Sequence, residues 1–294
     1  MKKRQETLNG ILFILPSFLG FAIFVFLPTF FSLVLSFTKW DFVTTLDKIK
    51  FIGIDNFIEI FKDEWFISSL INNLKFAMVV LPAGTILSLI CAVIINKFIY
   101  GKNIFKVLFF LPYISSIVAI SVVFGMMFHP SQGPVNQFLM SLGVTNPPKW
   151  LGDMKWALSV IMIISIWHNL GYNIIIYIAA LTGIPKELYE SADIDGATPF
   201  KQFLKITIPM VSSTTFFLVI MGIIGSFKVF DIISVLTDGG PGQATTVIAF
   251  LIYRSAFIYG KMGYASAIAW VMFLIIFIVT IFQWIMQKRF VNYD

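Results

Sequence analysis

Cysteine and histidine are almost absent from this sequence, which has one cysteine and two histidines in 294 residues. A single cysteine excludes an intramolecular disulfide framework and any zinc site built on several cysteines. Two histidines are likewise too few for a histidine-rich metal site. The lone thiol, Cys91, lies inside an apolar stretch, where we expect it to pack as a small hydrophobic side chain.

Charge is also scarce, because only 12% of the residues are Asp, Glu, Lys or Arg while 58% are hydrophobic. The mean hydropathy is +0.89. A soluble domain of this length is not built from such a composition, whereas a protein that crosses a membrane several times is. The net charge of +6 could suggest a nucleic-acid partner. However, the basic residues cluster beside the apolar stretches, as the positive-inside bias of membrane proteins predicts.

Motifs for nucleotide binding and for hydrolysis are missing as well. The sequence contains no Gly-x-x-x-x-Gly-Lys-Ser/Thr loop, no Gly-x-Ser-x-Gly and no His-Glu-x-x-His. It also has no pair of aspartates at helical spacing inside an apolar stretch. We therefore expect no catalytic residue, no metal and no cofactor on this chain. If ATP drives its activity, a partner chain must bind and hydrolyse the nucleotide.

The apolar stretches are long enough to cross a bilayer as helices, since a hydrocarbon core of about 30 Å takes about 20 helical residues. The first stretch is too long for a cleavable secretory signal, so we expect it to be retained as a span. The predicted spans cover residues 11–37, 69–95, 104–128, 156–181, 209–236 and 264–286. Pro112 predicts a kink inside the third. The chain is thus predicted to be an all-α, polytopic membrane protein with six transmembrane helices in one domain, residues 1–294.

Lysine and arginine indicate which side of the membrane holds the termini. Six spans place both termini on one side. Basic residues are denser in the short segments on that side, such as the one with Lys97, Lys102 and Lys106, than in the longer segments on the other. The positive-inside rule therefore predicts that both termini and the segment 183–209 face the cytoplasm.

The segment 183–209, between spans four and five, is rich in charge but is predicted to be ordered. Two short helices, each with one apolar face, flank a turn at Asp195-Gly196. Thr198 is placed to cap the second helix, and Pro209 marks the end of the segment or a kink into the fifth span. From periodicity alone, this segment could equally be an ordinary amphipathic loop at the membrane interface.

A spaced set of residues in this segment resembles the EAA loop of the permease subunits of binding-protein-dependent ABC importers. The family pattern is Glu-Ala-Ala, two residues, Asp-Gly-Ala, and then a spaced Phe, Ile and Pro. The matching positions are Glu190, Ser191, Ala192, Asp195, Gly196, Ala197, Phe203, Ile206 and Pro209. Only Ser191 departs from the pattern, and it exchanges one small residue for another. The resemblance implies a coupling loop that docks into a cleft on a cytoplasmic ATPase.

Polar residues in span four form a first candidate site, because polar groups inside a bilayer are costly and are frequently functional. Four of them share one helical face: Ser165, His168, Asn169 and Tyr172. An aromatic ring beside amide and hydroxyl groups suits a sugar, whose C–H faces stack and whose hydroxyls form hydrogen bonds. The same groups could instead hold neighbouring helices together, and His168 could relay protons.

A second cluster, at the end of span five, contains Ser226, Lys228 and Asp231. Lys228 and Asp231 are three residues apart and could form an ion pair that lowers the cost of burying them. The run Phe227–Asp231, followed by Thr237-Asp238-Gly239-Gly240-Pro241, also resembles the carbohydrate, maltose-type branch of the importer permeases.

In maltose-type permeases, the sugar contacts come from the two spans that flank the EAA loop. An ungapped alignment on Glu190 and Pro209 transfers those contacts to Ser165, His168, Asn169, Tyr172, Gly222, Gly225, Ser226 and Val229. Several residue types differ from the maltose case. The resemblance therefore implies the position of the site and leaves the identity of the sugar open.

These features predict an inner-membrane permease subunit of an ABC importer for an oligosaccharide or a related polyol. The implied partners are a cytoplasmic ATPase dimer, a second, homologous permease and an extracytoplasmic solute-binding protein. The alternatives are a permease for a non-sugar solute such as glycerol phosphate, a channel or secondary transporter, and a membrane-embedded enzyme acting on lipid-linked sugar. The enzyme would need a catalytic carboxylate or metal cluster in a span, where only Asp231 is available.

Overall fold

The computed structural model describes residues 2–41, 44–45, 48–98 and 100–290. Within these residues the fold is all-α, as predicted, apart from one small antiparallel sheet. Four helices are long and apolar enough to cross a membrane: Gly10–Ser36, Glu64–Lys97, Ala157–Thr182 and Met262–Gln287. Two bent helix pairs bring the number to 6 if each pair is one span. The predicted polytopic all-α fold is confirmed, while the division into a single domain stays a prediction.

One compact unit of the described chain falls within Met1–Asp63 and Leu251–Phe273. Its elements in the first of these ranges are α1 (Lys2–Phe21), the π-helical turn Ala22–Phe26, α2 (Leu27–Ser36), β1 (Thr38–Lys39), β2 (Lys50–Phe51) and α3 (Asp55–Ile60). The two strands pair antiparallel, with Thr38 opposite Phe51.

The second unit falls within Glu64–Phe250 and Leu274–Asp294. Up to the fourth spanning helix it contains α4 (Glu64–Phe98), α5 (Lys102–Ile114), α6 (Ile117–Met127), α7 (Pro134–Ser141), the 3-10 turn Trp150–Gly152 and α8 (Ala157–Thr182). It continues with α9 (Lys186–Ile194), α10 (Pro199–Gln202), the π-helical turn Phe203–Thr207, α11 (Ile208–Met210), α12 (Ser212–Phe227) and α13 (Asp231–Leu236). Two helices run from one unit into the other along the chain, α14 (Ile248–Tyr253) and α15 (Met262–Phe290), and the π-helical turn Arg254–Ile258 between them belongs to the first unit.

In the first unit, two close contacts organise the chain after α2. The buried Asn56 side chain donates from Nδ2 to the carbonyl oxygens of Ser36 and Thr38, at 2.8 and 2.9 Å, and so fastens α3 to the end of α2. A Cβ atom at Gly263 would collide with the Thr38 carbonyl, so the start of α15 approaches this strand only because residue 263 lacks a side chain.

In the second unit, α8 is the central helix, because it packs on α4, α5 and α12. Its buried side chains contribute to two apolar clusters, one around Ile161 and Ile164 and the other around Ile174 and Tyr177. The Tyr177 hydroxyl, which this packing removes from solvent, donates to Thr215 Oγ1 at 3.0 Å. The polar end of the ring is thereby satisfied across the contact between α8 and α12.

The third predicted span bends in a different place from the one that Pro112 predicts. α5 continues through Pro112 to Ile114, and the 91° bend between α5 and α6 lies at Ser115-Ser116. Ser115 has an extended backbone, and its hydroxyl donates to the Leu111 carbonyl at 2.8 Å. The hydroxyl thus occupies the carbonyl that the Ser115 N–H would bond in a continuing helix, and that N–H donates to the Pro112 carbonyl at 3.2 Å instead.

The fifth predicted span is interrupted twice. A bend of 64° at Val211 separates Pro199–Met210 from α12, close to the kink expected from Pro209. The second break separates α12 from α13, where Phe230 has a φ of −141°. The predicted pairing of Lys228 with Asp231 is therefore wrong: no ion pair joins them in the described structure, because the helical register between them is lost.

Candidate functional site

A cavity of about 350 Å³ lies inside the second unit, between α4, α5, α6, α8, α12 and the start of α13. All the residues that the sequence predicts as substrate contacts line it: Ser165, His168, Asn169, Tyr172, Gly222, Gly225, Ser226 and Val229. Other lining residues include Phe76, Val80, Leu81, Gly84, Thr85, Tyr113, Ile117 and Asn173. This volume, with apolar walls and a few polar groups, is typical of small-molecule sites.

The polar wall of the cavity belongs to α8. Helical spacing brings Ser165, Asn169 and Tyr172 to one face, as predicted. Asn169 donates from Nδ2 to the Ser165 carbonyl at 2.8 Å, within the helix. This bond fixes the amide and uses only one of its donor hydrogens, so the rest of the amide can serve a bound molecule.

An aromatic wall stands beside this face. The Tyr113 and Tyr172 rings stack with their centroids 4.9 Å apart and an interplanar angle of 25°. The His168 ring lies 5.8 Å from Tyr113. Among the described residues, His168 Nε2 is buried without a hydrogen-bond partner. Sequence reasoning missed Tyr113, because the only signal it gave was its position after Pro112 in a span.

The opposite wall belongs to α12, where Leu218 and Met221 are joined by three small residues, Gly222, Gly225 and Ser226. A Cβ atom at Gly222 would collide with the end of the Leu81 side chain, whereas one at Gly225 would meet nothing within 4 Å. Ser226 is buried, and its hydroxyl donates to the Ile223 carbonyl at 2.8 Å. The small side chains of this wall leave the space that the cavity occupies.

The buried Asn73 of α4 holds the end of this wall. Its Nδ2 donates to the Ser226 carbonyl at 2.9 Å, and its Oδ1 accepts from the Ile248 N–H at 2.8 Å. One side chain thus caps the last turn of α12 and the first turn of α14, whose backbone groups have no partner within their own helices. In the sequence Asn73 is a polar residue within an apolar stretch, and nothing in its spacing indicates which groups it joins.

The neighbouring Asn72 holds the Thr-Asp-Gly-Gly-Pro loop in place. Its Nδ2 donates to the carbonyls of Gln243 and Thr246, at 2.8 and 2.9 Å. The chain after this loop is bonded back to it, because the Thr246 hydroxyl donates to the Gly239 carbonyl at 2.9 Å. Gly239 has a φ of +80° and has no room for a Cβ atom, which explains why the loop needs glycine there.

The segment 183–209 has the predicted form of two short helices, α9 and α10, around a turn. Gly196 ends α9 in the left-handed region, with φ +70°, and the Ala197 N–H donates back to the Ala192 carbonyl at 2.9 Å. This is the glycine-terminated end expected of a helix. Thr198 caps α10 by accepting from the Lys201 N–H, and the Gln202 side chain donates to Asp193 across the turn.

Four of the nine residues that match the EAA pattern are exposed on this segment, and the other five are half-buried. Glu190, Ser191, Asp195 and Gly196 are exposed, while Ala192 and Ala197 are half-buried. Two apolar side chains beside them are also exposed, Ile194 to 87% and Phe200 to 69%.

The spacing of Phe200, Phe203 and Leu204 predicts one apolar face on the second helix, but of these three only Phe203 packs inward. Phe200 and Leu204 are exposed, and Phe203 and Ile206 pack inward instead. The reason is the π-helical turn Phe203–Thr207, which changes the register of the helix at this point.

Comparison with known proteins decides the family. The model of the family described as binding-protein-dependent transport system inner membrane component matches residues 84–292. The chain belongs to this family. Its relatives include the probable ABC transporter permease protein YurN of Bacillus subtilis (strain 168), 35% identical over 289 residues, which are 97% of each chain. The sn-glycerol-3-phosphate transport system permease protein UgpA of Yersinia pestis is 32% identical over 261 residues, 87% of this chain and 88% of UgpA.

Solved structures of such transport systems share the fold of this family member. A chain of a bacterial ABC transporter involved in the import of the acidic polysaccharide alginate superposes with a TM-score of 0.84. It is 27% identical, and the match covers 99% of this chain and 98% of that one. A second structure, of the alginate transporter in complex with a periplasmic protein that holds an alginate pentasaccharide, gives a TM-score of 0.83. The chain is therefore a multi-pass membrane component of an ABC transporter.

Proposed function

We propose that this chain is the permease subunit of an ABC importer and translocates a sugar, an oligosaccharide or a related polyol, through the cavity between α8 and α12. One observation carries the proposal. The residues that the maltose-type alignment selects from two spans, far apart in sequence, line a single cavity together with the aromatic ring of Tyr113.

The lining suits a sugar in its chemistry. The faces of a pyranose ring carry C–H groups that stack on aromatic rings, and the Tyr113 and Tyr172 rings lie on the cavity wall. The edges of a sugar carry hydroxyls that both donate and accept. The cavity wall offers hydrogen-bonding partners for such hydroxyls in Asn169, Ser226 and the unpartnered Nε2 of His168.

The proposed partners follow from the family and from the exposed surface of the segment 183–209. We assign Glu190, Ser191, Ala192, Asp195, Gly196 and Ala197 to contact with a cytoplasmic ATPase dimer, which binds and hydrolyses the ATP. The exposed Ile194 and Phe200 supply the apolar area for this contact. An extracytoplasmic binding protein delivers the sugar, and a second, homologous permease completes the pathway.

The connection between the ATPase contact and the cavity is short along the chain. α8 forms one wall of the cavity and leads directly into the segment 183–209, and α12 leaves that segment and forms the opposite wall. Movement of the docked segment when ATP closes the ATPase dimer therefore reaches both walls, and the helices open outward to receive the sugar. Helices broken near the site, here at Val211 and Ser115, are common in transporters.

The proposed orientation places both termini and the segment 183–209 in the cytoplasm. It rests on the density of Lys and Arg in the short segments on that side. An ATPase partner requires the same orientation.

Sugar uptake measured together with complex assembly tests the proposal. The chain is expressed with its partner permease, ATPase and binding protein, and uptake of labelled sugar into membrane vesicles is compared with the amount of complex that co-purifies. Tyr172→Ala removes a stacking surface, and Asn169→Ala removes hydrogen bonds to the sugar. Each loss is worth about 1–3 kcal/mol, so uptake efficiency falls about 5- to 150-fold while assembly is unchanged.

Matched controls come from the same chain. Tyr100 is fully exposed and Asn103 is exposed, and neither lines the cavity. Tyr100→Ala and Asn103→Ala are therefore expected to keep normal uptake. Normal uptake by the double variant of Tyr172 and Asn169 contradicts the assignment, and a loss of assembled complex points to a packing role instead.

A further inference from the structure

We infer that the cavity of this chain accepts uncharged sugars and rejects anionic ones. The inference rests on the proposed function and narrows its substrate class. It separates this chain from relatives whose names specify anionic solutes, glycerol phosphate and the acidic polysaccharide alginate.

The first observation is the absence of charge from the wall. Among the described residues that line the cavity there is no Lys, Arg, Asp or Glu. The hydrogen-bonding groups of the wall come from neutral side chains: Thr85, Tyr113, Ser165, His168, Asn169, Tyr172, Asn173 and Ser226. These groups pair well with hydroxyls. They offer a carboxylate or phosphate no counter-ion, which proteins supply as Arg or Lys where such anions bind.

The second observation concerns the charges nearest to the wall in the chain. Lys75 precedes Phe76, and Lys228 and Asp231 lie on either side of Val229, but all three charged side chains are exposed and none is part of the lining. Lys228 and Asp231 are opposite in sign, so this end of α12 has no net cationic character. The rest of the wall is apolar, including Phe76, Leu81 and Ile117, and an unpaired anion is poorly solvated in such surroundings.

His168 is the one lining side chain among the described residues that can become a cation. Its Nε2 is buried and has no partner in the described structure, and its ring lies beside Tyr113. In the neutral imidazole each ring nitrogen either donates or accepts a hydrogen bond. A sugar hydroxyl can pair with it in either case, because a hydroxyl both donates and accepts. We therefore assign this nitrogen to a hydroxyl of the neutral sugar.

Matched pairs of sugars in which a carboxylate replaces the C6 hydroxymethyl group test the inference, together with one phosphate probe. The assembled complex, in lipid nanodiscs and without its binding protein, is probed by saturation-transfer NMR, which detects weak binding. The probes are galactotriose and trigalacturonate, which share linkages and stereochemistry, then maltotriose and its oxidised uronate, and finally glycerol 3-phosphate. Omitting the binding protein removes its own selectivity from the result.

The expected result is a signal from at least one neutral sugar that Tyr172→Ala abolishes and Tyr100→Ala leaves unchanged. The anionic counterpart is expected to bind about 100-fold more weakly, from the cost of an unpaired charge in an apolar environment. Its Tyr172-dependent signal should therefore be missing at the same concentration.

Three other outcomes are distinguishable. A Tyr172-dependent signal from a uronate as strong as that of its neutral partner overturns the inference and leaves the proposed sugar function intact. A uronate signal that His168→Gln removes also overturns it and identifies an imidazolium as the anion partner. If only glycerol 3-phosphate gives such a signal, or no probe does, the proposed sugar function fails.

Discussion

Replacement of Asn73 by leucine tests how the cavity wall is held. Leucine has nearly the same size and cannot form either of the hydrogen bonds of Asn73, at 2.9 Å to the Ser226 carbonyl and 2.8 Å from the Ile248 N–H. All three residues are buried, so water cannot replace the lost partner. Each orphaned backbone group costs about 1–3 kcal/mol. Asn73→Leu is therefore expected to destabilise the fold by about 2–6 kcal/mol.

The assay is thermal denaturation of the assembled complex in detergent, followed by fluorescence-detected size exclusion. At about 2 °C per kcal/mol for a chain of this size, the melting temperature is expected to fall by about 4–12 °C. The exposed Asn146 supplies the matched control, and Asn146→Leu should melt within about 1 °C of the wild type. A melting temperature unchanged in Asn73→Leu would refute the idea that this side chain joins α4, α12 and α14.

Three further perturbations address the coupling loop, the helix packing and the orientation. Gly196→Pro should abolish uptake while the spans still insert in the membrane, because Gly196 has φ +70° and proline is fixed near −65°. Gly171→Ala should lower the stability of the complex by about 1–3 kcal/mol, measured by thermal denaturation, because its Cβ would collide with the backbone of α5. In a Cys91→Ala chain, which has no other cysteine, a membrane-impermeant maleimide should label Asn146→Cys in intact cells and Glu190→Cys only after lysis.

Each of these tests has its own control. Gly196→Ala is compatible with assembly and should lower uptake only mildly, since one left-handed alanine costs roughly 1–2 kcal/mol. Gly20→Ala places a methyl group where nothing lies within 4 Å and should not lower the melting temperature, since alanine is the better helix former. The role of the Gly196 turn in coupling is contradicted if Gly196→Pro keeps full uptake. The close packing at Gly171 is contradicted if Gly171→Ala and Gly20→Ala melt at the same temperature. The proposed orientation is contradicted if Glu190→Cys is labelled in intact cells.

Those parts of the site that depend on local spacing could be predicted from the sequence. Ser165, Asn169 and Tyr172 are seven residues apart at most, and the rise and turn of one helix determine that they share a face. The turn at Gly196 is local in the same sense, since it depends on a residue that tolerates positive φ. The family alignment added Ser226 from a second helix, which spacing alone could not place opposite the first.

The parts that depend on long-range packing could not be predicted. Tyr113 reaches the cavity because α5 packs against α8, and its own neighbours in sequence give no sign of that contact. Asn73 and Ile248 lie 175 residues apart, and their hydrogen bond follows from the whole arrangement of helices. The break in the helix between Lys228 and Asp231 could not be predicted either. Apolar residues continue through it, so hydropathy predicts an unbroken span.

The most direct test of the central claim is to locate the sugar in the transporter. The complete complex, with its ATPase, partner permease and sugar-loaded binding protein, is trapped with a non-hydrolysable ATP analogue and imaged by cryo-electron microscopy. Our account predicts sugar density between Tyr172 on α8 and Ser226 on α12, with a ring face against the tyrosine and the ATPase docked on the helix that holds Glu190. Sugar density elsewhere in the complex, with this cavity empty of it, would contradict the account.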